Sequence, residues 1–161
     1  MRSSLLMTRP DVAPLIARVT AGVVMFPHGA QKVLGWFGGP GFASVVGAFH
    51  QTLHIPMAIA VLDPIAEFFG ALALIIGLLS RVAAFGILCV MLGAVGLVHY
   101  QNGFLMNWTG KQTGEGYEFH LLMMALCLIV IVKGGGAWSV DRALTAGAHR
   151  NSGGSPASSL L

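Results

Sequence analysis

The sequence predicts an all-α membrane protein, a bundle of four transmembrane helices with a short interfacial helix in its first outer loop. Three observations carry that prediction. Of 161 residues, 55% are apolar and only 9% charged, with a mean hydropathy of +0.77, where a soluble domain carries about a quarter charged residues. Nine basic and six acidic side chains are too few to coat a soluble globule. The composition thus excludes an ordinary soluble enzyme, a disordered chain and, despite a formal charge of +3, a nucleic-acid binder. Second, the apolar residues gather in four stretches, each near the roughly 20 residues that cross about 30 Å of hydrocarbon. Third, the basic residues divide unevenly between the two sides that alternating helices create.

The first stretch runs over about 12–34. It holds Pro14 and Arg18 and lacks a small-x-small cleavage pattern, so it reads as a retained helix rather than a leader. Gly35-Trp36-Phe37-Gly38-Gly39-Pro40 then signals a turn. Over 40–54, Phe42, Val45, Val46, Phe49 and Leu53 recur at helical spacing, which predicts an amphipathic helix capping the outer mouth, its apolar face on acyl chains or on the pocket rim. The second span covers about 56–79 and the third 82–100, with Arg81 between them; the fourth covers 117–133. Such continuous runs suit helices, not the ten-residue alternations of barrel strands. The polar loop 101–116 carries Phe104 and Trp108, which with Trp36, Tyr100 and Tyr117 form an outer aromatic belt. Residues 1–142 thus make one membrane domain, and the Ser-, Gly- and Ala-rich segment 143–161 is predicted to be a disordered cytoplasmic tail. Arg2, Arg9, Arg81, Lys133, Arg142 and Arg150 fall on one side, against Lys32 and Lys111 on the other. This bias predicts a multi-pass protein with both termini in the cytoplasm.

Alternation also brings polar residues to one depth near the outer end of the bundle: His28, Gln31 and Lys32; Asp63 and Glu67; His99; and Glu118 with His120. Ionisable groups in a bilayer are expensive unless paired or hydrated, so they face the bundle interior and become site residues by default. His28 and Lys32 lie four residues apart on one face, as do Asp63 and Glu67. Glu118 and His120 are two apart, so only one can point at the bundle centre. Pro27 and Pro64 each free a carbonyl one turn back, which favours a kinked, hydrated pocket opening outward. Arg18 enters helix 1 from the opposite end, and depth alone makes it the expected partner of Glu67.

Several features have plainer readings. Ala66, Gly70, Ala73 and Gly77 form a small-residue stripe suited to close helix packing. His50 and His54 have the spacing of a helical metal pair but no assured third ligand, so they read as a polar interfacial edge and no metal is assigned. Cys89 and Cys127 form no CxxC and read as apolar packing.

The chain resembles the DoxX family of small bacterial four-helix membrane proteins. The matching stretches are Arg18…Gly22 leading into His28-Gly29-Ala30-Gln31-Lys32; Glu67-Phe68-Phe69-Gly70-Ala71 followed by Leu78-Leu79-Ser80-Arg81; His99; Tyr117-Glu118; and Gly134-Gly135-Gly136-Ala137-Trp138-Ser139-Val140-Asp141. They span about residues 12–142. The resemblance implies a four-helix bundle in the bacterial cytoplasmic membrane. It also implies an oxidoreductase subunit linked to quinones, sulfur compounds or oxidative stress, akin to the membrane subunits of thiosulfate:quinone oxidoreductase.

Two functions survive. As a quinone-linked oxidoreductase or the membrane subunit of a redox complex, the chain would use His28, Lys32 and His99 as hydrogen-bond donors. Asp63, Glu67 and Glu118 would then relay protons. The catalytic set is His28, Lys32, Glu67, His99 and Glu118, with Asp63 added for binding the quinone. No haem, Fe–S or nucleotide motif supplies an electron carrier, so a redox centre would need the quinone itself, a metal at the histidines or another subunit of a redox complex; a homo-oligomer stays open. In the second function it is a scaffold, or a binder of a small solute or metal, with no redox step of its own.

Overall fold

The computed structural model describes the backbone of residues 6–152 and the side chains of residues 6–146. Among the described residues six α-helices follow one another: α1 Val12–Leu34, α2 Phe42–Gln51, α3 Met57–Ile76, α4 Ser80–Ala94, α5 Glu118–Lys133 and α6 Val140–Ser152. α4 continues through a π-helical turn, Val95–His99, and a 3₁₀ turn, Tyr100–Asn102. Helices α1, α3, α4 and α5 pack in a closed ring, each against the next, and α2 lies on α3 and α1.

Among the described residues three helices are long and apolar enough to cross a membrane: Val12–Leu34, Met57–Ile76 and the continuous run Ser80–Asn102. At 16 residues, α5 rises only about 24 Å. The core is narrow, built from Met25, Leu74, Ile87, Met123, Cys127 and Val130. Ile16, Leu62, Phe69, Phe85, Leu122 and Val132 are exposed. An apolar exterior of that extent suits a lipid environment and would aggregate in water.

Local chemistry fixes the helix ends. The Asp11 carboxylate caps α1 by accepting from the Ala13 N–H at 3.0 Å, and Gly35, at φ 71°, ends it in the left-handed conformation. Gly77 (φ 75°) ends α3, where an added Cβ would lie 2.6 Å from Ser139 Cβ. The next helix takes its cap from a distant element: the Leu79 and Ser80 N–H groups donate to the Asp141 carboxylate at 2.7 and 2.9 Å. The Gly-Gly-Gly-Ala-Trp-Ser-Val-Asp stretch, 134–141, therefore locks the α3–α4 turn.

Close approach of α1 and α3 sets their register. A Cβ on Gly22 would sit 2.8 Å from the Ala71 carbonyl oxygen, and one on Gly29 would sit 2.5 Å from Phe68 Cα. Only glycine allows backbones this near. The antiparallel pair thus has Gly22 beside Ala71 and Gly29 beside Glu67 and Phe68. The stripe expected to serve packing does so on other helices: Gly70 faces Ile87, and Ala66 faces Gly86.

The segment expected to be disordered from residue 143 departs from that reading. Helix α6 runs through it to Ser152, held at its start by the Asp141 N–H donating to the Gly77 carbonyl at 3.0 Å. The remainder of the predicted tail, 153–161, lies outside the described residues.

Candidate functional site

The register of α1 and α3 decides which cation meets Glu67. Arg18 lies opposite Leu74 and Ile75, seven and eight residues from Glu67 along α3, or about 10–12 Å. The expected Arg18–Glu67 pair is not formed. Arg18 is buried and donates to main-chain carbonyls instead. Nε reaches Gly135 at 2.7 Å, Nη1 reaches Leu74 at 2.8 Å and Ile75 at 2.6 Å, and Nη2 reaches Ala137 at 3.2 Å and Trp138 at 3.0 Å. The Leu74 and Ile75 carbonyls belong to the last turn of α3, the negative end of its dipole.

Lys32, ten residues beyond Gly22 and one turn past Gly29, takes the place assigned to Arg18. Its Nζ donates to Asp63 Oδ2 at 3.0 Å and to Glu67 Oε1 at 2.6 Å. The three side chains are unequally sheltered: 25% of Lys32, 19% of Asp63 and 4% of Glu67 is exposed. Two acceptors occupy two of the ammonium's three donors. Glu67 Oε2 is buried and makes no hydrogen bond among the described residues. One spare donor and one spare acceptor therefore sit side by side. One positive charge faces two carboxylates.

At the outward end, where α2 was expected to cap the mouth, one residue of α2 lies against the triad while Lys32 stays 25% exposed. Phe49 of α2 lies 5.4 Å from Lys32 Nζ, its ring presented to the ammonium. The cleft on the 101–116 side, about 510 Å³, is lined by Val98, His99, Asn102 and Glu115 and does not reach the triad. The physical reason is the amphipathic stripe of α2, which buries Val45 and lays Phe49 over the polar end of α1.

Histidines form a second group. The His99 and His120 rings are 4.2 Å apart, and His99 Nδ1 is 2.8 Å from the Glu115 carbonyl oxygen. His120 is 6% exposed, and its Nδ1 has no partner among the described residues. His28 is exposed and packs near Phe119, which in turn meets His120 edge-on. Thus His28, Phe119, His120 and His99 make a continuous row of rings.

The choice left open between Glu118 and His120 falls to His120. His120, Met123, Cys127 and Val130 are the buried residues of α5, spaced three, four and three apart. That helical stripe is readable in the sequence. Glu118 turns to the loop, where its Oε1 accepts from the Met106 N–H at 3.1 Å and the Trp108 Nε1–H at 2.9 Å. Sequence reasoning placed it among the site residues; the structure brings it to the loop rather than to Lys32. Phe49 was read as part of a stripe resting either on acyl chains or on the rim of the pocket; the structure places its ring at the rim, beside Lys32.

His50 lies 2.9 Å from the Ile55 carbonyl oxygen. Cys127 is buried and Cys89 exposed, so the two thiols do not share an environment. Among the described residues, no group of three or more His, Cys, Asp or Glu side chains is arranged to hold a metal ion.

The profile of the DoxX family matches residues 13–100, more than half of the chain. The chain belongs to the DoxX family. The match spans α1 to the end of the π-helical turn and so includes Lys32, Asp63, Glu67 and His99. No curated protein and no solved structure matches the chain. As a DoxX protein with three helices long and apolar enough to span, it is a multi-pass membrane protein in contact with lipid.

Proposed function

We propose that this DoxX protein is the quinone-reacting membrane subunit of a redox complex, with Lys32, Asp63 and Glu67 as its binding centre. The observation that carries the reading is the unpartnered Glu67 Oε2 beside an ammonium with one donor still free. A quinone carbonyl needs a donor and a quinol hydroxyl needs an acceptor, and the triad offers both at adjacent atoms. A bound quinone would supply two-electron, two-proton chemistry. Lys32 would hold the carbonyl oxygen, Glu67 would hold or release a proton at Oε2, and Asp63 would keep the ammonium oriented. The excess carboxylate gives the centre room for one added proton or donor. Phe49 would act as a movable cover that excludes water. The row His99–His120–Phe119–His28 would connect the outer cleft towards the centre, with His120 Nδ1 as its unpartnered buried member. Electrons would come from or go to a partner subunit.

In this reading α1, α3, α4 and α5 all span the bacterial cytoplasmic membrane, α5 doing so where the bilayer thins. Both termini are cytoplasmic and α2 rests on the outer surface. The uneven lysines and arginines support that orientation. The second reading, a non-redox scaffold or small-solute binder, draws its support from the Phe49 cover, which would make the triad a closed clamp between α1 and α3.

The deciding experiment is lipid extraction of the purified protein, with mass spectrometry for co-purifying quinone, on wild type and Lys32→Met. Quinone in the wild type and its loss from a folded Lys32→Met protein is the expected result. Equal quinone in both, or none in either after growth and purification with added quinone, supports the scaffold.

A further inference from the structure

The opposite end of the bundle holds a cleft that the redox reading does not use. It has a volume of about 1010 Å³ and is lined by the segment before α1, the start of α4, the end of α5 and α6. Four cations face it: Arg9, Arg81, Lys133 and Arg142. Asp11 is the one carboxylate in the lining, and its side chain caps α1. Four cations against one carboxylate equals the formal excess of the entire chain, +3. Every other lysine and arginine is matched in number by an acidic residue elsewhere.

Three of these cations are not consumed within the described fold. Among the described residues, the ion pairs are those of Lys32, so Arg9, Lys133 and Arg142 have none. Arg81 is anchored: Nη1 donates to the Ile131 and Val132 carbonyls, and Nη2 donates to Met7 at 3.1 Å. Its Nε is buried without a partner. The buried Nε is closed to a ligand, but a guanidinium pinned by three carbonyls keeps its charge fixed and has one Nη2–H uncommitted for an anion. The walls differ in kind from this floor. Met7, Val12 and Val132 are 60, 58 and 69% exposed, respectively. A basic floor beside an apolar wall suits an amphiphile, whereas a soluble anion gains nothing from the wall.

We infer that this cleft binds the phosphodiester headgroup of an anionic phospholipid, with acyl chains along Val12 and Val132. Arg9, Lys133 and Arg142 attract the phosphate and Arg81 orients it. Free phosphate shares the charge chemistry but not the apolar contact, and the test separates the two sources. The inference is independent of the quinone reading, because no residue is shared.

The test is native mass spectrometry of the purified full-length protein in micelles, titrated with phosphatidylglycerol or phosphatidylcholine of equal acyl chains. Phosphatidylglycerol should be retained at concentrations where phosphatidylcholine is not. Arg9→Gln/Lys133→Gln/Arg142→Gln should weaken that binding by about tenfold or more, and Lys133→Gln alone by a few-fold. Arg2→Gln/Lys111→Gln/Arg150→Gln, an equal change in net charge elsewhere, should bind as wild type does. Three results would overturn the inference: equal retention of the two lipids, equal weakening in the two triple variants, or displacement of the lipid by millimolar inorganic phosphate. Should the triple cleft variant fail to fold, the single Lys133→Gln change against Lys111→Gln decides on the same criterion.

Discussion

Arg18 and Lys32 sit on the same helix, fourteen residues apart in sequence, and both place a cation among buried groups of α3. They do different things. Arg18 meets five carbonyls and is saturated. Lys32 meets two carboxylates and leaves a donor and an acceptor unused. A planar guanidinium with five N–H groups can close a helix end and a loop together, and it then has nothing left to offer a ligand. A compact ammonium between two carboxylates cannot satisfy every oxygen around it. Burial of charge is therefore shared by a latch and by a site, and incomplete hydrogen bonding separates them.

The largest expected effect tests the latch. Arg18→Met should lower stability by about 4 kcal/mol or more, because carbonyls from two elements lose their common donor while buried. Arg18→Lys should recover only part, since one ammonium cannot reach both the α3 end and the 135–138 loop. Thermal unfolding in detergent measures both. A wild-type melting temperature for Arg18→Met would remove the basis for calling this end structural.

The next tests the register that separates the two cations. Gly29→Val should destabilise by about 1–3 kcal/mol by forcing α1 from α3, and should weaken quinone binding through the displaced Lys32. Gly93→Ala has no neighbour within 4 Å of the added carbon and should leave both readouts unchanged or raise stability slightly. Equal behaviour of the two variants would mean that the glycine contact does not set the alignment.

Lys32→Met should lose less stability than Arg18→Met, about 1–3 kcal/mol, because the triad is partly hydrated. Lys32→Met/Glu67→Leu should regain much of it by removing the stranded carboxylate. Quinone binding should stay absent in both. Recovery of binding in the double variant, measured by the same mass spectrometry, would make the triad a clamp only.

Glu118→Gln should have the smallest effect, about 1 kcal/mol or less, since the amide oxygen still accepts from Met106 and Trp108. Quinone binding should not change. A large loss of binding with intact folding would return Glu118 to the site.

Much of this was legible in the sequence, for reasons that differ by residue. The helices were readable because hydrocarbon demands long apolar runs; α1 coincides with 12–34, and α5 begins one residue later than expected. The small residues were read as packing, which Gly70 against Ile87 bears out. Serine, glycine and alanine from 143 onward were read as disorder. What they lacked was the knowledge that Asp141 caps α4 and so anchors a helix behind it.

The sequence by itself determined that this is a multi-pass membrane protein of the DoxX family, with Lys32, Asp63 and Glu67 near one end and a basic excess at the other. Composition, run length and charge count are properties of residues taken singly, and a bilayer acts on them directly. The partner of Glu67, and the seating of Phe49 on Lys32 rather than on lipid, were decided only by tertiary structure. Each depends on how one helix slides or turns against another. Two glycines of α1, where an added Cβ would lie 2.8 and 2.5 Å from the α3 backbone, set that alignment and place Arg18 two turns away from the carboxylate it was expected to meet.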